Sequence, residues 1–137
     1  MEMLPSGLAE IVGDDENLAR FLTSSRQFNL IGAKPAAFQP NPKNGETSVF
    51  RHGSYPRESL WRIASGHLSA ALTLHGAAIV KAKHVREALL DVVAQEPPLR
   101  HANIVKWPSS ITDPEMAKAE QKERAALIAR YAEVVRR

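Results

Sequence analysis

The 137-residue chain contains no cysteine. That absence removes disulfides, thiolate zinc sites, iron–sulfur clusters and thiol nucleophiles together, and it fits a reducing compartment. Glycine is sparse: its seven residues are scattered singly and build no phosphate-cradling loop. H-E-x-x-H, G-x-S-x-G and EF-hand patterns are missing too, which lowers the prior for the common metal- and nucleotide-dependent enzymes. No cofactor and no metal site are expected. No window approaches the roughly 18 apolar residues of a membrane span. The start "MEMLPSGLAEIVGDDENLAR" has no basic stretch leading into an apolar one, so the expected protein is cytoplasmic and has no membrane partner.

What is present suits a folded domain. Hydrophobic residues make up 44% of the chain and charged residues 24%, enough for one core, so residues 1–137 read as a single domain. The net charge of +3 conceals a division. Residues 1–20 carry five acidic groups against Arg20, and the remainder carries 17 basic groups against 10 acidic ones. An acidic leader, expected to be flexible over 1–13, therefore precedes a basic body. Clustered Lys and Arg attract phosphates and nucleic acid, although a charge of this size also serves ordinary solubility.

Pattern then suggests elements. "GDDENLARFLTSS" reads as a short helix capped by Asp14 or Asp15, with Leu18, Phe21 and Leu22 as its stripe. A loop rich in Pro and Asn follows, with a short strand near Ala36–Phe38, and the turn Pro42–Gly45 feeds the strand "TSVFRH". After the turn "GSYP", a long core helix is expected from Pro56 to Gly76, with Leu60, Ala64, Leu68 and Leu72 inward. "AAIV", a short helix over Val85–Leu90, "DVVA" and "HANIV" complete the middle, the last two forming an antiparallel pair across Pro97-Pro98. Asp113 and Pro114 start a C-terminal helix over 113–137, its expected core face being Met116, Ala119, Leu127, Tyr131 and Val134–Val135. The fold class is α+β: a small mixed sheet of four to five short strands with two long and two short helices.

Histidine is the only side chain present whose unperturbed charge changes near neutral pH. On one helix face, eight residues apart, His67 and His75 would stand about 12 Å from each other and could not share a metal ion. His84 is expected to be exposed. The dipeptides Arg51-His52 and Arg100-His101 are more pointed, because each falls at a strand end, where neighbouring strands bring side chains together. Period two sends Thr47, Val49 and Arg51 to one face of their strand, and Ser48, Phe50 and His52 to the other. It also puts His101 beside Asn103. His101 would supply a proton donor or acceptor, Arg51 or Arg100 an anion clamp, and Asn103 an orienting amide. Lys106 and Trp107 offer a cation and a stacking surface, although a Trp closing the core beneath the last helix is the simpler reading.

Two functions of different class follow. One is a non-catalytic binding or accessory protein, engaging an anionic small molecule, a nucleic acid or a protein partner through Arg51, His52, Arg100, His101, Asn103, Lys106 and Trp107. The other is a small metal-independent enzyme on a phosphate or nucleotide substrate, its catalytic candidates being His101, Arg100, His52 and Arg51. A DNA-reading helix ranks below both, because the basic residues are spread over several elements.

Overall fold

A computed structural model describes residues 3–52 and 56–137. It is mixed α and β, with one six-stranded sheet. The elements in chain order are β1 (Asn17–Leu22), a 3-10 turn (Pro35–Ala37), β2 (Thr47–Arg51), α1 (Arg57–His67), β3 (Gly76–Lys81), α2 (Ala82–Glu87), β4 (Asp91–Ala94), β5 (His101–Val105), α3 (Pro114–Tyr131) and β6 (Glu133–Arg136). The strands lie in the order β4-β5-β2-β1-β3-β6, every neighbouring pair antiparallel. The expected mixed sheet of four or five strands is thus corrected to six antiparallel strands, and the expected four helices to three. Gly53, Ser54 and Tyr55 of the expected "GSYP" turn lie outside the described residues.

The largest correction is at Asn17–Leu22, which is a strand and not a helix. Leu18, Ala19, Phe21 and Leu22 fit either period, because β1 is central and buried on both faces. Leu18 and Leu22 enter one core, Ala19 and Phe21 the other. Asp14, offered as a cap, binds Arg86 instead at 2.5 Å. The expected strand at Ala36–Phe38 is the 3-10 turn, opened by Pro35.

The main core fills the face that carries Leu18, Val49, Val80, Val92 and Ile104 and packs under α2 and α3. α3 begins as expected, with the Asp113 carboxylate accepting from the Met116 N–H at 3.0 Å. Its inward face is not the expected one. Ala117, Ala125, Ile128 and Ala129 are buried, whereas Met116, Leu127 and Tyr131 are 59%, 41% and 51% exposed. Small residues let the helix pack closely on the 3-10 turn, and the bulk of the core there comes from Phe38 and Trp107 in the connecting segments. Tyr131 stacks flat on His84 at 4.1 Å, so His84 ties α2 to α3 and is not the exposed residue expected. The helix stops at Tyr131, where Ala132 turns to an extended backbone, and Val134 and Val135 belong to β6.

The second face is covered by α1, whose Leu60 and Ala64 pack on Ala19, Phe21, Phe50 and Ala77. α1 is shorter than expected. It ends at His67, one residue past Gly66, a poor helix former, and the Ser69 hydroxyl then accepts from the Ala71 N–H. His67 and His75 accordingly do not share a helix face. No apolar residue of β4 or β5 joins the cluster beneath α1; on this face β5 contributes the polar His101 and the buried Asn103.

Candidate functional site

The sheet brings the two Arg-His dipeptides side by side. β2 and β5 run antiparallel with Phe50 opposite His101, and the Arg51 N–H donates to the Arg100 carbonyl at 2.8 Å. Strand alternation then separates the side chains. Arg51 points into the main core, only 1% exposed, while His101 lies on the opposite face with Ser48 and the buried Phe50 and Asn103.

Every nitrogen of the Arg51 guanidinium is engaged within the chain. Nε and Nη2 donate to the two Glu16 carboxylate oxygens at 2.7 and 2.8 Å, and Nη1 donates to the Ala9 carbonyl at 2.7 Å. This bidentate pair fastens the acidic leader to the sheet. Burial pushes the Glu16 carboxyl up, but hydrogen bonds from Arg51 and the Gly13 N–H, with the charges of Arg51 and Arg86, outweigh it and hold it below the ordinary range. Arg86 fastens the same segment, donating to Asp14 at 2.5 Å and to the Val12 carbonyl at 2.7 Å. Residues 3–16 also hold on through Ser6, whose N–H donates to Glu96 at 3.0 Å.

Arg100 sits at the rim, with a left-handed backbone at φ 70°. That conformation costs a non-glycine residue about 1–2 kcal/mol. Three bonds offset it: the Arg100 N–H donates to Glu96 at 3.1 Å, its carbonyl accepts from Arg51, and its Nε donates to the Arg51 carbonyl at 2.8 Å. Its charge reaches His52. Burial first, and then Arg100, push the His52 imidazole below its ordinary value, and its Nδ1 has no hydrogen-bond partner among the described residues.

The densest polar constellation is centred on His101. Its Nδ1 lies 2.9 Å from the Gln95 carbonyl and its Nε2 lies 2.7 Å from the Ser48 hydroxyl. A carbonyl only accepts, so Nδ1 carries a proton, and in the neutral ring Nε2 accepts from Ser48. The ring also packs edge-on against Phe50 at 5.3 Å, and His67 stacks on the same phenyl ring at 5.0 Å. Asn103 Nδ2 donates to Gln95 Oε1, joining the cluster to the end of β4. Ser48 and Gln95 were not singled out by the sequence. Alternation had placed Ser48 on the face away from Arg51, but its pairing with a histidine 53 residues later needed the β2–β5 register.

The other expected site residues lie apart from this cluster. Trp107 is buried in the main core at 8% exposure. Lys106 stands at the far end of β5, exposed and 3.9 Å from Asp91. At about 3.3 Å per residue, Arg100 and Lys106 are some 20 Å apart, so the seven residues form several environments rather than one pocket. Among the described residues no helix is long and apolar enough to cross a membrane. The chain matches no known protein family, no curated protein and no solved structure.

Proposed function

We propose that this is a non-catalytic binding protein that takes an anionic ligand of the phosphate class at the His101 cluster, where β2, β5 and the end of β4 meet. The observation that carries the reading is a set of polar groups bonded to one another where β2, β5 and the end of β4 meet: His101, Ser48 and Gln95, which reach solvent, and Asn103, which is buried beneath them. Pre-bonded groups lose little freedom when a ligand binds. Arg51 has no part in the contact and acts through Glu16 to fix the floor.

The test is a thermal-shift titration of wild type and a Ser48→Ala/His101→Ala variant with nucleotides, inorganic phosphate, short DNA and short RNA. A ligand at about 100 times its dissociation constant adds about 2.7 kcal/mol, several degrees for a chain of this size. A shift in wild type that the variant loses supports the site. Equal shifts in both sink it.

One observation favours a second reading. Hydroxyl, imidazole and orienting carbonyl stand in the order used to activate a nucleophile, with Ser48 as nucleophile and His101 as base. That reading makes the protein a small enzyme on phosphate esters or nucleotides, and it leaves out Arg51, whose guanidinium is held by Glu16 and the Ala9 carbonyl. It requires turnover that falls at least about a hundredfold in either single variant. Binding without turnover leaves the first reading standing.

A further inference from the structure

A second site lies on the other side of the molecule, between the loop at 39–45 and the first half of α3. This groove has a volume of about 740 Å³, within the range of ligand-binding clefts. Its walls are apolar where Pro40, Pro42, Pro114 and Ala117 meet. Among the described residues no Asp or Glu lines it, and the charged lining residues are Lys118 and Lys122. Neither lysine has an ion-pair partner among the described residues, in a molecule where Arg51 and Arg86 are both paired.

Both walls are held in shape before anything binds. In the loop, the Gly45 N–H donates to the Asn41 carbonyl at 2.7 Å, the Asn41 N–H to the Glu46 carbonyl at 2.9 Å, and the Lys43 N–H to Asn41 Oδ1 at 2.9 Å. Gly45 has φ 71°, the region a glycine enters at little cost. On the helix side Gln121 Nε2 donates to the Pro108 carbonyl at 2.6 Å.

The lysine spacing selects the occupant. Lys118 and Lys122 are one helical turn apart, about 6 Å along the axis at 1.5 Å per residue. In an extended peptide, alternate side chains on one side are separated by about 6.6 Å. Two carboxylates at positions i and i+2 of an extended chain therefore meet the two ammonium groups in register. A single small anion meets only one of them well and leaves the apolar wall uncovered. We propose that this groove docks an extended acidic segment of a partner protein, with acidic residues at i and i+2 over Lys118 and Lys122 and apolar residues against the prolines. The proposal is independent of the His101 cluster and stands whether that cluster binds or reacts.

The test is fluorescence anisotropy on the full chain at physiological ionic strength. The probe is a fluorescein-labelled heptapeptide with two glutamates separated by one valine and flanked by valine and proline. Saturable binding is expected. It should weaken about tenfold or more in Lys118→Gln/Lys122→Gln, and also in Ala119→Trp, which fills the groove from an exposed helix position. A control that removes two exposed cations elsewhere, Arg62→Gln/Lys81→Gln, should change affinity less than about twofold. Absence of binding overturns the proposal, as does equal weakening in both double variants, which would reveal a diffuse field. Displacement of the peptide by inorganic phosphate or succinate at comparable concentration would make this a small-anion site and overturn it as well.

Discussion

Arg51 shows how far one residue can be read from sequence. Alternation along "TSVFRH" correctly turned it away from Phe50, but only the fold supplies Glu16, 35 residues earlier, as its partner. A charge buried to this extent is tolerated because both carboxylate oxygens and a carbonyl satisfy it. Removing one partner leaves the other uncompensated, so Glu16→Gln should cost about 3 kcal/mol in urea unfolding, the low end for a broken buried pair because the Glu16 side chain keeps 27% of its exposure. Arg51→Met combined with Glu16→Gln should cost less than the Glu16→Gln change alone. A double variant at least as unstable as Glu16→Gln would show that the pair is not coupled.

Among the elements, those with local signals were legible and those decided by neighbours were not. "TSVF", "DVVA" and "HANIV" carry β-branched residues between turns and form strands, and Asp113-Pro114 starts α3 where its cap chemistry says. Asn17–Leu22 reads as a helix because a strand buried on both faces loses its alternation. β6 carries no boundary signal of its own, because Glu133–Arg136 follows a helix without a Gly or Pro stop. Its signal is on the partner strand, at Gly76. A Cβ there would collide with the Val135 carbonyl oxygen, so the close approach of β6 to β3 requires glycine. Gly76→Ala should therefore cost about 1–3 kcal/mol and raise amide exchange selectively at Val134 and Val135. Uniform exchange across the sheet would contradict this. At the start of α3, Asp113→Ala removes the bond to Met116 and should cost about 1 kcal/mol.

For the whole molecule, acid should act in two stages. Burial and Arg100 depress the His52 imidazole, so the unfolded chain takes a proton there more readily than the folded one. Stability from His52 is complete above about pH 6.5 and declines as pH falls below it. Glu16, Asp91 and Glu96 are each pushed up by burial but pulled further down by hydrogen bonds and positive charge. Their contribution is present above roughly pH 4.5 and is lost as pH falls through their lower folded values. The melting temperature should thus decline gently below about pH 6.5 and more steeply below about pH 4.5. His52→Asn should remove the first slope and Glu16→Gln should flatten the second. A melting temperature constant from pH 7 to pH 3 would contradict both assignments.

By itself the sequence determined what depends on near neighbours: an α+β composition, the β4–β5 pair around Pro97-Pro98, the cap of α3, and the opposed faces of Arg51 and Phe50. Tertiary structure decided the antiparallel order of six strands, the inward face of α3, and the meeting of Ser48, Gln95 and His101. The physical reason is range. Turn chemistry, capping and strand alternation act over a few residues, whereas which strand lies beside which, and which charge finds which partner, is settled by burial and hydrogen bonding between segments far apart in the chain.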